Sequence, residues 1–246
     1  RSVAWGAQRL GLKCKIFISE FVSESRANAM RELNADVIRV KGNYDSSLKE
    51  CIKQSEDNNW EIVQDVSWEG YKEVPKLIMA GYTIMIKEIM DQINNNSFTH
   101  VFLQSCVGVM AAAMIAGFSK FSKDIPKFII VEPTNANCVF KSIEKNKPTS
   151  VNISKETIMG GMSCGDVSTV AWEILKKSTN YSLTIDDDAI STTVALLAKA
   201  RLAEKKIIAG ECAVPGVIAL IGLFKKKEYL SKLKLNSDSK ILLFGC

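Results

Sequence analysis

The sequence has 246 residues, of which 47% are hydrophobic and 24% charged, with a formal net charge of +5. This composition is typical of a globular protein with a large apolar core, and the length suffices for one large domain or two smaller ones. The charge is modest and the lysines are dispersed, apart from a run at 225–227 that we place at a solvated helix end. We therefore expect neither nucleic acid nor a membrane as a partner.

Seven scattered cysteines without a C-x-x-C pair predict free thiols in a reducing cytoplasm rather than a disulfide framework or a zinc site. The only histidine, His100, opens a predicted strand, where a structural contact is the expected role. A Ser-His-Asp triad or a histidine-based metal site needs more, so hydrolases of that type are excluded. No signal peptide or membrane span is visible.

The first 65 residues alternate helical and strand patterns. Helices are predicted at 3–12, 23–34 and 45–58, and strands at 13–19, 35–40 and 60–64. This alternation predicts a parallel sheet with crossover helices. The polar and aromatic stretch at 65–71 suggests a boundary, giving a small lobe at 1–66 and a large lobe at 67–246.

The large lobe continues the same alternation. Helices are predicted at 74–94, 109–117, 167–177, 189–204 and 217–224, and strands at 101–103, 127–131, 183–185 and 240–244. Asn94, Asn95 and Asn96 with Ser97 predict a polar loop after the first of these helices. The predicted fold is α/β, with two lobes whose largely parallel sheets are flanked by helices.

The chain turns from a buried strand into an Ala-rich helix through Ser105, Cys106, Val107 and Gly108. The first backbone N–H groups of such a helix have no partners, and the helix dipole favours an anion there, so a phosphate or carboxylate could bind. An ordinary strand-to-helix turn, in which Gly108 only relieves crowding, explains the same residues.

Ligands of parallel sheets bind beyond the carboxyl ends of the strands. This rule makes Asp65, Ser105, Cys106, Glu132 and Gly245 candidate lining residues. A carboxylate such as Asp65 would suit general acid or base catalysis in a closed site, although it could equally cap a turn. Glu211 is better explained by the start of a helix.

Five segments together point to a family. They lie at 1–5, 64–71, 103–111, 129–133 and 157–165, and in this order they resemble the diaminopropionate ammonia-lyases of the tryptophan synthase β group, the fold type II enzymes that use pyridoxal phosphate. The Gln-Asp-x-x-Trp-Glu-Gly-Tyr segment at 64–71 is the most specific.

The resemblance implies roles for individual residues. It assigns the cofactor phosphate to a loop made of Ser105, Cys106, Val107, Gly108 and Val109. It also gives Asp65 a catalytic acid or base role and places Cys246 opposite the pyridine nitrogen. The implied reaction is the elimination of ammonia from 2,3-diaminopropionate to give pyruvate, with pyridoxal 5'-phosphate as cofactor, in a homodimer.

The sequence also departs from the family. The lysine that binds the cofactor covalently lies upstream of the segment matching Arg1, so we expect a fragment of a longer protein, truncated also at its C-terminus and inactive by itself. The phosphate loop is poorer in glycine than is usual. A threonine or serine dehydratase, a cysteine synthase, or a non-catalytic α/β binding module remain alternatives, whereas a Rossmann domain lacks its G-x-G-x-x-G motif.

Overall fold

A computed structural model of the chain describes residues 1–93 and 97–245. Its contacts divide the chain into two units, Arg1–Gln64 and Asp65–Cys246. The sequence suggests a boundary between residues 66 and 67, two residues after this division. The residues Asn94, Asn95, Asn96 and Cys246, for which the sequence predicts a polar loop and a cofactor contact, lie outside the described residues.

The first unit alternates helices and strands. Its elements are α1 (Ser2–Leu10), β1 (Lys15–Ser19), α2 (Glu24–Arg31), β2 (Asp36–Val40) and α3 (Tyr44–Asn58). The two strands pair in parallel, with Lys15 opposite Asp36. A small core forms from Ala4, Ile18, Ala27, Met30 and Ala35. The alternating pattern thus produces the expected parallel pairing.

The predicted strand at 60–64 is wrong. This segment is irregular, and the Trp60 N–H donates to the Ser55 carbonyl at the end of α3. A strand needs a neighbouring strand to bond with. Trp60 and Val63 are 38% and 47% exposed, so the segment also lacks the burial that its apolar residues suggested.

The second unit contains a four-stranded sheet. Its helices are α4 (Glu73–Gln92), α5 (Val109–Phe121), α6 (Cys138–Lys145), α7 (Thr169–Ser178), α8 (Ile190–Ala198), α9 (Pro215–Phe224) and α10 (Lys227–Leu233). Its strands are β3 (His100–Gln104), β4 (Lys127–Pro133), β5 (Tyr181–Ile185) and β6 (Ile241–Leu243), all paired in parallel in the order β5-β4-β3-β6. Parallel sheets flanked by helices confirm the predicted α/β class.

The middle of this sheet is buried on both faces. All five residues of β3 are buried, and Phe102, Ile129 and Val131 belong to one core cluster that α9 also enters. Parallel sheets covered by helices on both faces require such continuous apolar strands. The uninterrupted apolar sequence of α5 has the same cause, since this helix packs against both α4 and α7.

Several helices differ from the predicted ones. Helices α6 and α10 are absent from the predicted elements, and α8 ends at Ala198 instead of 204, just before Ala200 turns to a φ of 53°. The lysines at 225–227 lie where α9 ends and α10 begins, at a helix boundary as expected. Among the described residues, no helix combines the length and the apolarity needed to cross a bilayer.

Replacing Gly117 of α5 by alanine should lower the free energy of unfolding by about 1–3 kcal/mol. The added Cβ would lie 2.9 Å from Ile86 Cγ1, in the packed contact with α4. Gly81 of α4 is the matched control, because an added Cβ there meets nothing within 4 Å. We expect Gly81→Ala to be neutral or to stabilise by up to about 1 kcal/mol. Chemical denaturation measures both, and equal effects would contradict the close packing.

Candidate functional site

A cavity of about 300 Å³ lies beyond the carboxyl end of β3, within the second unit. It is lined by Asp65, Tyr82, Met85, Gln104, Ser105, Cys106, Val107, Gly108, Val109, Met110, Ala111, Gly161, Met162 and Cys212. The cavity therefore brings Asp65 together with all five residues of the predicted phosphate loop. A few polar groups in an otherwise apolar concave site are typical of a small-molecule site.

The loop after β3 leaves the start of α5 without a side-chain cap. Gly108 is the N-cap residue, and the first helical hydrogen bond runs from the Ala112 N–H to the Gly108 carbonyl at 2.9 Å. Within the described residues, the N–H groups of Val109 and Ala111 have no acceptor. Together with the helix dipole, these donors are suited to binding an anion.

Gly108 is required by its backbone and by its neighbours. Its φ is 89°, in the left-handed region that glycine tolerates best, and a Cβ at this position would lie 2.6 Å from Leu175 Cδ1 on α7. The loop backbone therefore passes directly over α7.

A disulfide joins Cys106 to Cys164, with their Cα atoms 5.6 Å apart. The sequence-based expectation of free thiols without a disulfide is therefore wrong for this pair. Spacing along the chain did not indicate it, because the two residues are 58 positions apart and meet only where the phosphate loop lies against the glycine loop at 160–165.

Asp65 is half-buried at the edge of the cavity. Burial raises the pKa of its carboxyl above the ordinary value, while the backbone N–H groups of Asp65 and Val66 act in the opposite direction. A carboxyl whose pKa is raised in this way is better suited to exchanging a proton near neutral pH.

Two of the residues that the sequence placed near a ligand, Glu132 and Gly245, do not line the cavity. Glu132 is fully buried and accepts the N–H groups of Val139 at 3.0 Å and Phe140 at 2.6 Å, at the start of α6. Burial raises the pKa of Glu132 to about 8, against these two N–H groups and the Cys138 thiol. Gly245 also lies outside the lining.

The aromatic pair of the 65–71 segment likewise packs on itself rather than on the cavity. The Trp68 and Tyr71 rings stack with their centroids 4.3 Å apart, and the two backbones form an isolated bridge. This pair stiffens the turn that follows Asp65.

Gln104 is a cavity residue that the sequence analysis missed. Its Nε2 donates to the Phe244 carbonyl at 3.1 Å, whereas its Oε1 is buried and has no hydrogen-bond donor among the described residues. A buried acceptor without a partner is costly, so this atom fits a ligand that supplies an N–H or O–H. The available signal was a polar residue at the end of a buried strand whose three middle residues are apolar.

Comparisons with known proteins connect this site to one family. A profile described as "Pyridoxal-phosphate dependent enzyme" matches residues 1–243. The diaminopropionate ammonia-lyase of Escherichia coli (strain K12) is 31% identical over 251 residues, which cover 100% of this chain and 63% of that protein. The chain thus spans about 63% of the length of this curated relative.

This chain is also similar to a solved structure and to a relative of a different kind. The holo form of diaminopropionate ammonia lyase from Escherichia coli superposes with a TM-score of 0.90 at 30% identity, covering 99% of this chain and 62% of that one. A biosynthetic L-threonine dehydratase of Staphylococcus epidermidis is 23% identical over 202 residues, covering 79% of this chain and 45% of that protein.

The raised pKa of Glu132 predicts a loss of stability with rising pH. The folded protein holds this proton up to a pH of about 8, whereas the unfolded chain releases it near 4.5, so folding binds protons between the two values. The free energy of unfolding should therefore fall as the pH rises through this window, by at most about 1.4 kcal/mol per pH unit. Denaturation at several pH values measures the slope.

Glu132→Gln should remove this slope and lower stability at acidic pH, because an amide replaces one of the two oxygen acceptors, and the difference from the unmodified protein should shrink as the pH rises towards 8. Glu228→Gln on exposed α10 is the control and should retain the slope. Identical slopes in the Glu132→Gln variant and the unmodified protein would contradict the assignment.

Proposed function

Because the chain belongs to the family of pyridoxal-phosphate dependent enzymes, we propose that it forms the phosphate-binding part of a diaminopropionate ammonia-lyase. The whole enzyme would eliminate ammonia from 2,3-diaminopropionate and release pyruvate. One observation carries this proposal: a single cavity is lined by Asp65, the uncapped start of α5 and Gln104, whose buried Oε1 has no partner among the described residues. The 31% identity over the whole chain supports the choice of substrate.

The residues present fit a cofactor that carries a phosphate. The loop of Ser105, Cys106, Val107, Gly108 and Val109 would hold the phosphate through backbone N–H groups, because no arginine or lysine is among the lining residues that the structure describes. When bound, pyridoxal phosphate supplies an electron sink for the negative charge left when a proton leaves the α-carbon of an amino acid.

Asp65 would move the proton. Its carboxyl lines the same cavity as the phosphate loop, and its raised pKa lets it accept a proton in one step and return it in another. Its partial burial also limits competition from solvent.

Two parts of the proposal rest on the resemblance alone. Cys246 would face the pyridine nitrogen of the cofactor, and the covalent lysine would come from a part of the protein outside this chain. We likewise propose a cytoplasmic homodimer acting on a small amino acid.

The protein in its full length, loaded with pyridoxal phosphate, tests the function. We expect pyruvate from 2,3-diaminopropionate, together with twice as much ammonia as pyruvate, because both amino groups are lost. Serine and threonine, assayed in parallel, would release equal amounts of ammonia and oxo acid if they reacted. Turnover of threonine but not of diaminopropionate would contradict the proposal and favour the dehydratase alternative, and no turnover of any of them would favour a binding module.

Asp65→Asn should lower the turnover of diaminopropionate by about 10²- to 10⁴-fold while the absorbance band of the bound cofactor persists, since the amide cannot exchange the proton. The acidic limb of the pH–rate profile should reflect Asp65 and lie above the ordinary pKa of an aspartate, and it should disappear in the variant. The exposed Asp91→Asn of α4 is the control and should behave as the unmodified protein does. Loss of the cofactor band in Asp65→Asn alone would show a structural role instead.

A further inference from the structure

We propose that Ser67 and Ser168 are positioning residues, which hold Asp65 at a fixed place relative to the phosphate-binding loop by bonding both to the start of α7. This proposal rests on the function proposed above. Ser67 follows Asp65 by two residues and is 3% exposed, and Ser168 is fully buried.

Ser67 caps a helix that lies about a hundred residues further along the chain. The Val170 N–H, in the first turn of α7, donates to Ser67 Oγ at 2.9 Å. Ser168 is the N-cap residue of α7 but makes no side-chain cap of its own helix, and its Oγ accepts the Ser67 N–H at 3.1 Å instead. Ser67 thus accepts an N–H of the first turn of α7, as an N-cap side chain normally does. Ser168, which occupies the N-cap position, accepts the N–H of Ser67 in return.

Three further contacts join Ser67 to Ser168 and Thr169. The Ser67 and Ser168 hydroxyls lie 2.7 Å apart, and the Thr169 N–H donates to the Ser67 carbonyl at 3.3 Å. The Ser67 hydroxyl also lies 3.0 Å from Thr169 Oγ1. The backbone N–H and carbonyl of Ser67 and its hydroxyl are therefore all bonded to the first residues of α7, which leaves this point of the Asp65 segment little freedom.

The start of α7 is bonded on its other side to the phosphate loop. The Ser168 N–H donates to the Val107 carbonyl at 2.9 Å, and Leu175 of the same helix packs directly against Gly108. A short path therefore runs from Asp65 through Ser67 and Ser168 to Val107. Only Val66 separates Asp65 from Ser67 in the chain, and the remaining steps are hydrogen bonds between buried groups, so the path sets where the Asp65 carboxyl lies relative to the loop.

This arrangement matters for catalysis because proton transfer depends steeply on position, and a displacement of about 1 Å can cost 10²-fold in rate. Ser67→Ala removes the hydroxyl that caps Val170 and approaches Ser168. We expect it to lower kcat about 10- to 100-fold, with the KM for diaminopropionate within about twofold, since the loop itself is kept. Ser67→Thr retains the hydroxyl and should restore most of kcat.

A second measurement needs neither cofactor nor turnover. In the protein without added cofactor, carbon-13 NMR of labelled aspartates, with Asp65 assigned from Asp65→Asn, reports the pKa of this carboxyl. Loosening the segment should expose Asp65 to water, so its pKa should fall towards the ordinary value in Ser67→Ala. Tyr82 and Cys212, which line the same cavity, are unchanged in all variants.

Ser142→Ala is the matched control. Ser142 is also a fully buried serine with two hydrogen bonds, from its Oγ to the Cys138 carbonyl at 2.6 Å and from the Thr149 N–H to its Oγ at 2.9 Å. It bonds neither to Asp65 nor to the phosphate loop. We expect this variant to lose stability but to keep kcat and the pKa of Asp65.

The outcomes separate the two proposals. If Ser67→Ala matches Ser142→Ala in both kcat and the pKa of Asp65, the positioning role is wrong. If the unmodified protein does not act on diaminopropionate, the proposed function fails, yet the NMR comparison still decides the positioning role. Should Ser67→Ala not fold, Ser168→Ala takes its place, because it removes the acceptor of the Ser67 N–H and leaves the cap on Val170; an unchanged pKa of Asp65 there would equally overturn the proposal.

Discussion

The second unit depends on how helix α5 begins. Its N-cap is Gly108 at a φ of 89°, no side chain caps it, and Leu175 occupies the space that a Cβ would need. The N–H groups of Val109 and Ala111 therefore have no acceptor among the described residues, and both residues line the cavity. The anion binding proposed for this loop would need no side-chain ordering, because rigid backbone provides the donors.

Helix α7 is the common support of the site. It carries Leu175 beneath the phosphate loop, and its first residues bond to both the Val107 carbonyl and Ser67. The disulfide of Cys106 and Cys164 adds a covalent connection from the same loop to the glycine loop. The positions of the loop and of Ser67 are thus held by elements that are distant in sequence. Functional sites generally need such support from the residues that surround them.

The sequence predicted the parts of this structure that depend on local pattern. The long apolar runs of β3, β4 and α5 are correct because burial on both faces leaves few alternatives. The turn at 105–108 follows from the junction of β3 and α5, and its phosphate-binding role stays a proposal. The strand expected at 60–64 failed because pairing needs a neighbour that the pattern cannot show. The disulfide, the unpaired Gln104 Oε1 and the Ser67 cap depend on contacts across many residues, which no local pattern encodes.

The order of strands has a consequence for synthesis on the ribosome. Strand β3 lies between β4 and β6, and His100 pairs with Ile241, roughly 140 residues later in the chain. While the intervening residues are translated, one hydrogen-bonding edge of this buried strand lacks its β6 partner. An unpaired strand edge of this kind can form hydrogen bonds with the strands of other chains. The nascent protein is therefore most vulnerable to aggregation until β6 emerges, and slow translation of the last segment would lengthen that exposure.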